Sequence, residues 1–280
     1  MGDLWSFSFF QRAFLSSVLI GAACSLTGVF VVLNGLSFMG AGIAHAAFAG
    51  VALGFLLGIN PLFLSIVWAI GAVWIIGFTH KRGELKLDAS ISIMFSFSMA
   101  LAILFIGFIK SYNTELFSFL FGNLFAITRT DLVIISLMAI FSIGSILLFF
   151  KEFFFISFDP LMAKASGIPA DGLFFFLLNI IGLTVVISLK SVGTILVFGL
   201  LVTPAASAYQ LTHNIRIMAL LSLLFGVGSS ILGLFASYYL DVPSGATIVI
   251  FLGIIFFVSM MVSPKRKRLK TIKIGNKALR

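Results

Sequence analysis

Apolar runs, separated by short breaks that carry the charges, extend through this chain from about residue 13 to residue 262. Each run is roughly 18–22 residues long, and about 20 residues of helix cross the hydrocarbon core of a bilayer. Lipid offers no hydrogen-bond partners, so only helices or closed barrels can cross it. Because the runs lack the alternating pattern of barrel strands, they predict an all-α polytopic membrane protein.

The composition leaves no room for a separate soluble domain. Of the 280 residues, 61% are hydrophobic and 10% are charged, and the mean hydropathy is +1.22. A soluble fold could not cover that much apolar surface with so few charges. We therefore expect one transmembrane domain over residues 1–262, followed by a basic tail over residues 263–280.

The hydropathy pattern predicts eight or nine transmembrane helices. The lower number applies if one of the runs 40–58 and 193–210, which glycine or proline interrupts, does not cross completely. Residues 115–127 are apolar but too short to cross, and indicate an interfacial or partly re-entrant helix. The nine candidate spans are 13–33, 40–58, 61–79, 89–109, 131–150, 172–189, 193–210, 216–239 and 245–262.

The distribution of Lys and Arg predicts the orientation in a cell membrane. If the C-terminal tail is placed in the cytoplasm and nine spans alternate in direction back from it, most Lys and Arg residues lie on the cytoplasmic side. The N-terminus then lies outside. The tail itself is typical of an anchor on anionic membrane lipid. A nucleic-acid partner is not expected, because no aromatic residues are interleaved with the charges and no folded basic module accompanies them.

His45 is the one histidine placed at membrane depth. An ionisable side chain in hydrocarbon is costly unless it faces a partner or a water-filled path. Small residues recur every four positions around it, at Gly42, Ala46, Gly50 and Gly54, with Gly58 continuing the spacing. This ridge predicts close helix packing and points His45 towards the bundle. Two interpretations remain open, a structural hydrogen-bonded histidine or a ligand or proton relay on a translocation path.

Two features indicate dependence on a partner. No span carries a central Asp or Glu, whereas ion-coupled transporters usually keep a carboxylate near the midplane. The loop 158–172 predicts a short helix across the membrane face, capped by Asp159, begun by Pro160 and ended by Gly167 with Pro169. This helix is either an interfacial linker or a docking element for a cytoplasmic partner.

An outside turn is predicted before the last helix. Asp241, Pro243 and Gly245 are turn residues, and Ser244 is a candidate helix cap.

The chain resembles the permease subunits of ABC importers for zinc and manganese, the ABC-3 class. The resemblance covers nearly the whole chain, and its strength lies in six stretches that occur in family order. They are VVLNGLSFMGAGIAHAAFAGVALG (31–54), KRGELKLDASISIMFS (81–96), LFSFLFGNLFAI (116–127), FDPLMAKASGIP (158–169), KSVGTILVFGLLVTPAASA (190–208) and LDVPSGATIVI (240–250).

The resemblance implies a type II ABC importer permease-like bundle that imports divalent transition metal ions. It implies a homodimer, two ATP-binding subunits and an external metal-binding protein. In the family the stretch about 159–168 is the coupling helix, which assigns ATPase contact to Asp159, Pro160, Ala163 and Gly167. Pro204 and Ser207 would lie at the dimer interface beside the pathway.

The chain itself is not expected to be an enzyme or to bind a cofactor. It has no Walker A loop, so ATP would bind to the partner subunit. Alternative functions are a permease of the same architecture for iron, an iron chelate or cobalamin, and, in a different class, an intramembrane enzyme.

One departure from the family pattern concerns the transported ion. The family helix commonly reads G-D-x-x-x-H, and here Ala41 stands at the aspartate position while His45 matches the histidine. A carboxylate favours manganese, whereas a lone imidazole suits zinc. The resemblance therefore implies a weak, transient metal contact at His45, formed with the same residue of a second protomer.

Overall fold

The computed structural model describes residues 6–81, 83, 85–109 and 114–265. In this part of the chain all regular structure is helical. A 3₁₀ turn covers Leu124–Ala126. The helices are α1 (Ser8–Leu33), α2 (Met39–Leu57), α3 (Pro61–Lys81), α4 (Leu87–Phe108), α5 (Thr114–Phe121), α6 (Arg129–Leu148), α7 (Phe150–Phe158), α8 (Pro160–Ala165), α9 (Ala170–Val192), α10 (Val197–Leu211), α11 (Ile215–Leu240) and α12 (Ser244–Val262).

Eight of these helices are long and apolar enough to cross a membrane, and α10, with 15 residues, is shorter. The predicted short segment at 115–127 is confirmed as α5 and the 3₁₀ turn. The first span was predicted to begin too late, since α1 already begins at Ser8. The predicted segment 193–210 also differs, because α10 begins only at Val197.

One end of the helix bundle, which we call the α5 face, gathers α5 and the helix ends that contact it. The backbone N–H of Leu124 donates to Ser244 Oγ at the start of α12, at 3.1 Å. Before α10, the N–H of Thr194 donates to the carbonyl of Phe119, at 2.9 Å. The beginnings of α10 and α12 therefore lie on the α5 face.

The opposite end, which we call the α8 face, gathers α7, α8 and the helix ends beside them. Asn34, which ends α1, donates its side-chain N–H to Ser157 Oγ of α7, at 2.8 Å. After α12, Ser263 Oγ donates to the carbonyl of Gln210 near the end of α10, at 2.9 Å. Since α10 starts on one face and ends on the other, the described part of the chain passes between the two faces nine times, through the eight long helices and through α10.

Nine crossings place residues 6 and 265 on opposite faces. Among the described residues the α8 face carries more basic side chains than the α5 face. Residues 266–280, most of the predicted basic tail, lie outside the described part of the chain. The basic residues are Lys81, Lys86, Lys151, Lys164, Arg216 and Lys265 on the α8 face, against Arg12, Arg129 and Lys190 on the α5 face.

Helix α1 lies at the centre of the bundle and packs on its neighbours through small and hydroxyl-bearing residues. Cys24 Sγ lies 3.1 Å from Ser188 Oγ of α9. Ser222 Oγ of α11 donates to the α1 carbonyl of Ser25, at 2.7 Å. A Cβ on Gly28 would overlap the carbonyl oxygen of Leu201 in α10. Such close approach of backbones, together with hydroxyl hydrogen bonds, is how helices associate where lipid replaces water.

The predicted ridge on α2 is confirmed at three of its glycines. A Cβ on Gly42 would lie 2.6 Å from the Ile91 side chain of α4, and one on Gly54 would lie 2.6 Å from the Cα of Pro61 in α3. Gly50 likewise leaves room for α3. Gly58 differs, because it is the left-handed C-cap of α2, with φ of 68°, and has nothing within 4 Å of an added Cβ.

A backbone crossing on the α5 face explains the late start of α10. Gly193 ends α9 with φ of 91°, and Gly122 ends α5 with φ of 77°. A side chain on either glycine would collide with the backbone of the other segment. Lys190 Nζ, 2.6 Å from a carboxylate oxygen of Asp131, ties α9 to α6 beside this crossing. Residues 194–196 are thereby held against α5 before α10 can begin.

We predict that Gly28→Ala destabilises the protein and that Gly144→Ala does not. The new methyl group at residue 28 would overlap a backbone carbonyl, and overpacking of this kind costs roughly 1–3 kcal/mol. Gly144 lies in α6 with nothing within 4 Å of an added Cβ, so its substitution is a matched control. The measurement is the midpoint of thermal unfolding in detergent. Equal midpoints for the two variants would contradict the close contact between α1 and α10.

Candidate functional site

His45 lies in the second turn of α2 with its side chain half-buried. Its Nδ1 is 2.9 Å from the carbonyl oxygen of Ala41, one turn earlier. A carbonyl oxygen can only accept, so Nδ1 carries the hydrogen and Nε2 of the neutral ring keeps its lone pair. A metal-binding histidine usually donates its second N–H in this way, which fixes the ring orientation. The helix itself therefore presents Nε2 as a free ligand atom.

The surroundings of His45 are formed mainly by α4. The rings of His45 and Phe95 lie 4.3 Å apart between centroids, inclined by 51°. On either side of Phe95 along the helix, Ser92 and Ser96 are exposed, although α4 is otherwise strongly apolar. Exposed hydroxyls beside an imidazole are typical of a surface that faces protein or water rather than lipid.

A single protomer offers few ligands for a metal ion. Within the described residues there is no group of three or more His, Cys, Asp or Glu side chains that could hold one. The position one turn before His45 is Ala41, which contributes only the carbonyl that orients the ring. One protomer therefore supplies one imidazole nitrogen from this helix.

The predicted short helix on the α8 face forms as the residues suggested. Asp159 Oδ1 accepts from the backbone N–H groups of Leu161 and Met162, at 3.1 and 2.9 Å, and Pro160 takes the first helical position. Gly167 follows the end of α8 with φ of 82°. Ala163, which was assigned to ATPase contact, has no exposed area in this chain. Asp159 and Ala163 thus shape and seat α8, while its outward surface is formed by other residues.

That outward surface is a small apolar projection, which we call the α8 knob, made of Phe158, Leu161 and Met162. Their exposed fractions are 78%, 78% and 58%. The knob lies on the charged α8 face, and exposed apolar side chains of this kind contact another protein or the membrane. Sequence reasoning missed these residues, although their positions around the Asp159 cap could have indicated them.

Pro204 and Ser207 lie in α10 and are both buried inside the protomer. Ser207 Oγ donates to the carbonyl of Thr203, at 2.7 Å. The structure therefore does not bring their side chains to a surface that a second copy could touch directly. The large exposed side chains of α10 are Phe198 and Tyr209, with exposed fractions of 41% and 45%.

Comparison with known proteins agrees with this architecture along the chain. The family described as the ABC 3 transport family matches residues 6–263. The chain is 40% identical to the manganese transport system membrane protein MntC of Listeria monocytogenes, with 94% of each protein covered. It is 39% identical to the manganese import system permease protein ScaB of Streptococcus gordonii, with 95% of this chain and 96% of ScaB covered.

A solved structure gives the same result at the level of the fold. PsaBC from Streptococcus pneumoniae, in complex with Fab, matches with a TM-score of 0.86 and 37% sequence identity, covering 96% of this chain and 97% of that one. With nine crossings, a capped short helix on one face and a family match over residues 6–263, this chain belongs to the ABC 3 transport family.

Proposed function

We propose that this chain is the membrane-spanning permease subunit of an ATP-driven importer of divalent transition metal ions. The observation that carries the proposal is the free Nε2 of His45 in α2, oriented by the Ala41 carbonyl. An ionisable side chain in an apolar span points by default to a functional site. The names of MntC and ScaB support manganese as the cargo.

A pair of chains would complete the metal contact. Two copies related by a two-fold axis would offer two imidazole nitrogens and no carboxylate at this level. Such a site binds weakly, and weak binding suits an ion that must leave again. Imidazole alone also accepts zinc, so the site itself leaves both zinc and manganese as cargo.

The energy would come from a separate ATP-binding subunit docked on the α8 knob. The sequence has no Walker A loop, and the acids among the described residues lie in loops or near helix ends. The α8 face would then be cytoplasmic, together with the C-terminus and its basic tail on anionic lipid. Its larger share of Lys and Arg agrees with that orientation.

The α5 face would receive an external metal-binding protein. A cleft of about 430 Å³ opens there between α5 and the turn after α11, lined in part by Asn123 and Asp241. Metal released on the α5 face would reach the two His45 side chains of the pair of chains. ATP hydrolysis by the subunit on the α8 face would then expose these side chains to the cytoplasm. In this mechanism the chain binds, orients and releases the ion, and the partner subunits supply delivery and energy.

We predict that His45→Ala lowers metal uptake about tenfold or more, because the substitution removes the imidazole nitrogen that would bind the ion. A tenfold loss corresponds to about 1.4 kcal/mol of binding. The measurement is ATP-dependent uptake of Mn²⁺ and Zn²⁺ by proteoliposomes that contain the assembled complex. His213→Ala is the matched control, since His213 is exposed on the loop between α10 and α11. Equal uptake by both variants would exclude His45 from the pathway.

We predict that Ala41→Asp shifts the cargo preference towards manganese. The substitution places a carboxylate one turn from His45, and oxygen ligands favour Mn²⁺ over Zn²⁺ relative to imidazole alone. The measurement is the ratio of Mn²⁺ to Zn²⁺ uptake when both ions compete. A ratio that stays constant while the variant still transports would contradict a metal contact at this level of α2.

We predict that Leu161→Glu prevents association with the ATP-binding subunit. A charge in the centre of an apolar contact removes a dominant interaction, worth at least about 2 kcal/mol. The measurement is copurification of the ATP-binding subunit with the permease. Leu240→Glu is the control, because Leu240 is 68% exposed but lies at the α5 end of α11. Retention of the subunit by Leu161→Glu would remove the α8 knob as the docking site.

A further inference from the structure

Three charged side chains on the α8 face join three different helices. Asp171, in the first turn of α9, lies 2.6 Å from Lys164 Nζ of α8 and 3.6 Å from Lys81 Nζ at the end of α3. A carboxylate in the first turn of a helix is favoured by the helix dipole, so Asp171 is well placed to remain an anion. One carboxylate is thus shared by the ends of two otherwise separate helices.

Few other contacts hold α8 in position. It has six residues, and only Ala163 among them is buried. A cleft of about 530 Å³ opens beside it, and Lys81, Lys164 and Asp171 all line that cleft. The two ion pairs therefore cross open space that side-chain packing does not fill, and they link α8 to α3 through Asp171.

Two close contacts between helices lie between Asp171 and His45. Near the α8 face, Gly77 of α3 is in close contact with the Phe175 ring of α9. Further along α3, a Cβ on Gly50 of α2 would lie 2.8 Å from the Cα of Ser65. Backbones this close move together, because packed interiors respond by shifting as units rather than by deforming smoothly.

We infer that Asp171 is a coupling carboxylate, which transmits displacement of α8 through Lys81 to α3, and from α3 to the helix that carries His45. Asp171, Lys81 and Lys164 are positioning residues in this account, since none of them touches the metal. The inference rests on the proposed function, because it is the docked ATP-binding subunit that would displace α8.

The exposure of the three side chains separates this role from a purely structural one. They are 48–57% exposed, and ion pairs so exposed contribute little to folding stability. Salt weakens exposed ion pairs. Substitution of one charged residue of an ion pair should therefore leave the fold intact but weaken the connection between α8 and α3.

The test compares Lys81→Gln and Asp171→Asn with the wild-type complex in proteoliposomes. The readout is the amount of Mn²⁺ transported per ATP hydrolysed, measured together with binding of the ATP-binding subunit. We expect this ratio to fall by about 2- to 5-fold in both variants, while ATP hydrolysis and binding persist, because an exposed ion pair contributes only modestly. Asp171→Glu, which keeps the charge, should restore most of the ratio.

Lys86→Gln is the matched control, because Lys86 is an exposed lysine on the same face and has no ion pair within the described part of the chain. Raising salt from about 50 mM to about 500 mM should lower the wild-type ratio but leave that of Lys81→Gln almost unchanged.

A ratio equal to that of the wild type in both Lys81→Gln and Asp171→Asn would overturn the inference. If Asp171→Asn fails to assemble, Lys81→Gln decides alone. Absence of ATP-driven uptake by the wild-type complex would instead refute the proposed function.

Discussion

The direct contact of helix backbones at small residues is the constraint on which the rest of this structure depends. Lipid is as apolar as the helix surfaces, so burial of apolar side chains cannot by itself hold the helices together. Close dispersion contacts and hydroxyl hydrogen bonds must do so instead. Such contacts place α1 at the centre of the bundle. Gly28 lies against the Leu201 carbonyl, and the hydroxyl groups of Ser188 and Ser222 contact Cys24 and the Ser25 carbonyl.

The same constraint positions the candidate site. Helix α2 is fixed on three sides by glycines, with Gly40 against α10, Gly42 against α4 and Gly50 against α3. His45 lies beside the contact with α4, where its ring packs against Phe95 and is oriented by the helix's own Ala41 carbonyl. A site made in this way needs no side-chain partner to orient it. It also moves with α2 as a unit, so displacement of α3 would carry it along.

Features that depend on neighbouring residues could be predicted from the sequence, and features that depend on distant contacts could not. The Asp159 cap and the close packing at Gly42, Gly50 and Gly54 of α2 were predicted from nearby residues, and both predictions are confirmed. The late start of α10 was missed, because it follows from the meeting of Gly193 with Gly122. Ser244 was wrongly predicted to cap its own helix, since its hydroxyl accepts instead from Leu124, 120 residues away in sequence.

The central claim is that the transported ion meets His45 inside the membrane. Pulsed electron paramagnetic resonance of Mn²⁺ held by the assembled complex, with ¹⁵N-labelled histidine in this chain alone, tests that contact directly. The account predicts a ¹⁵N hyperfine coupling to Mn²⁺ that disappears in His45→Ala. Mn²⁺ bound within the transmembrane helices without any histidine nitrogen coupling would contradict it.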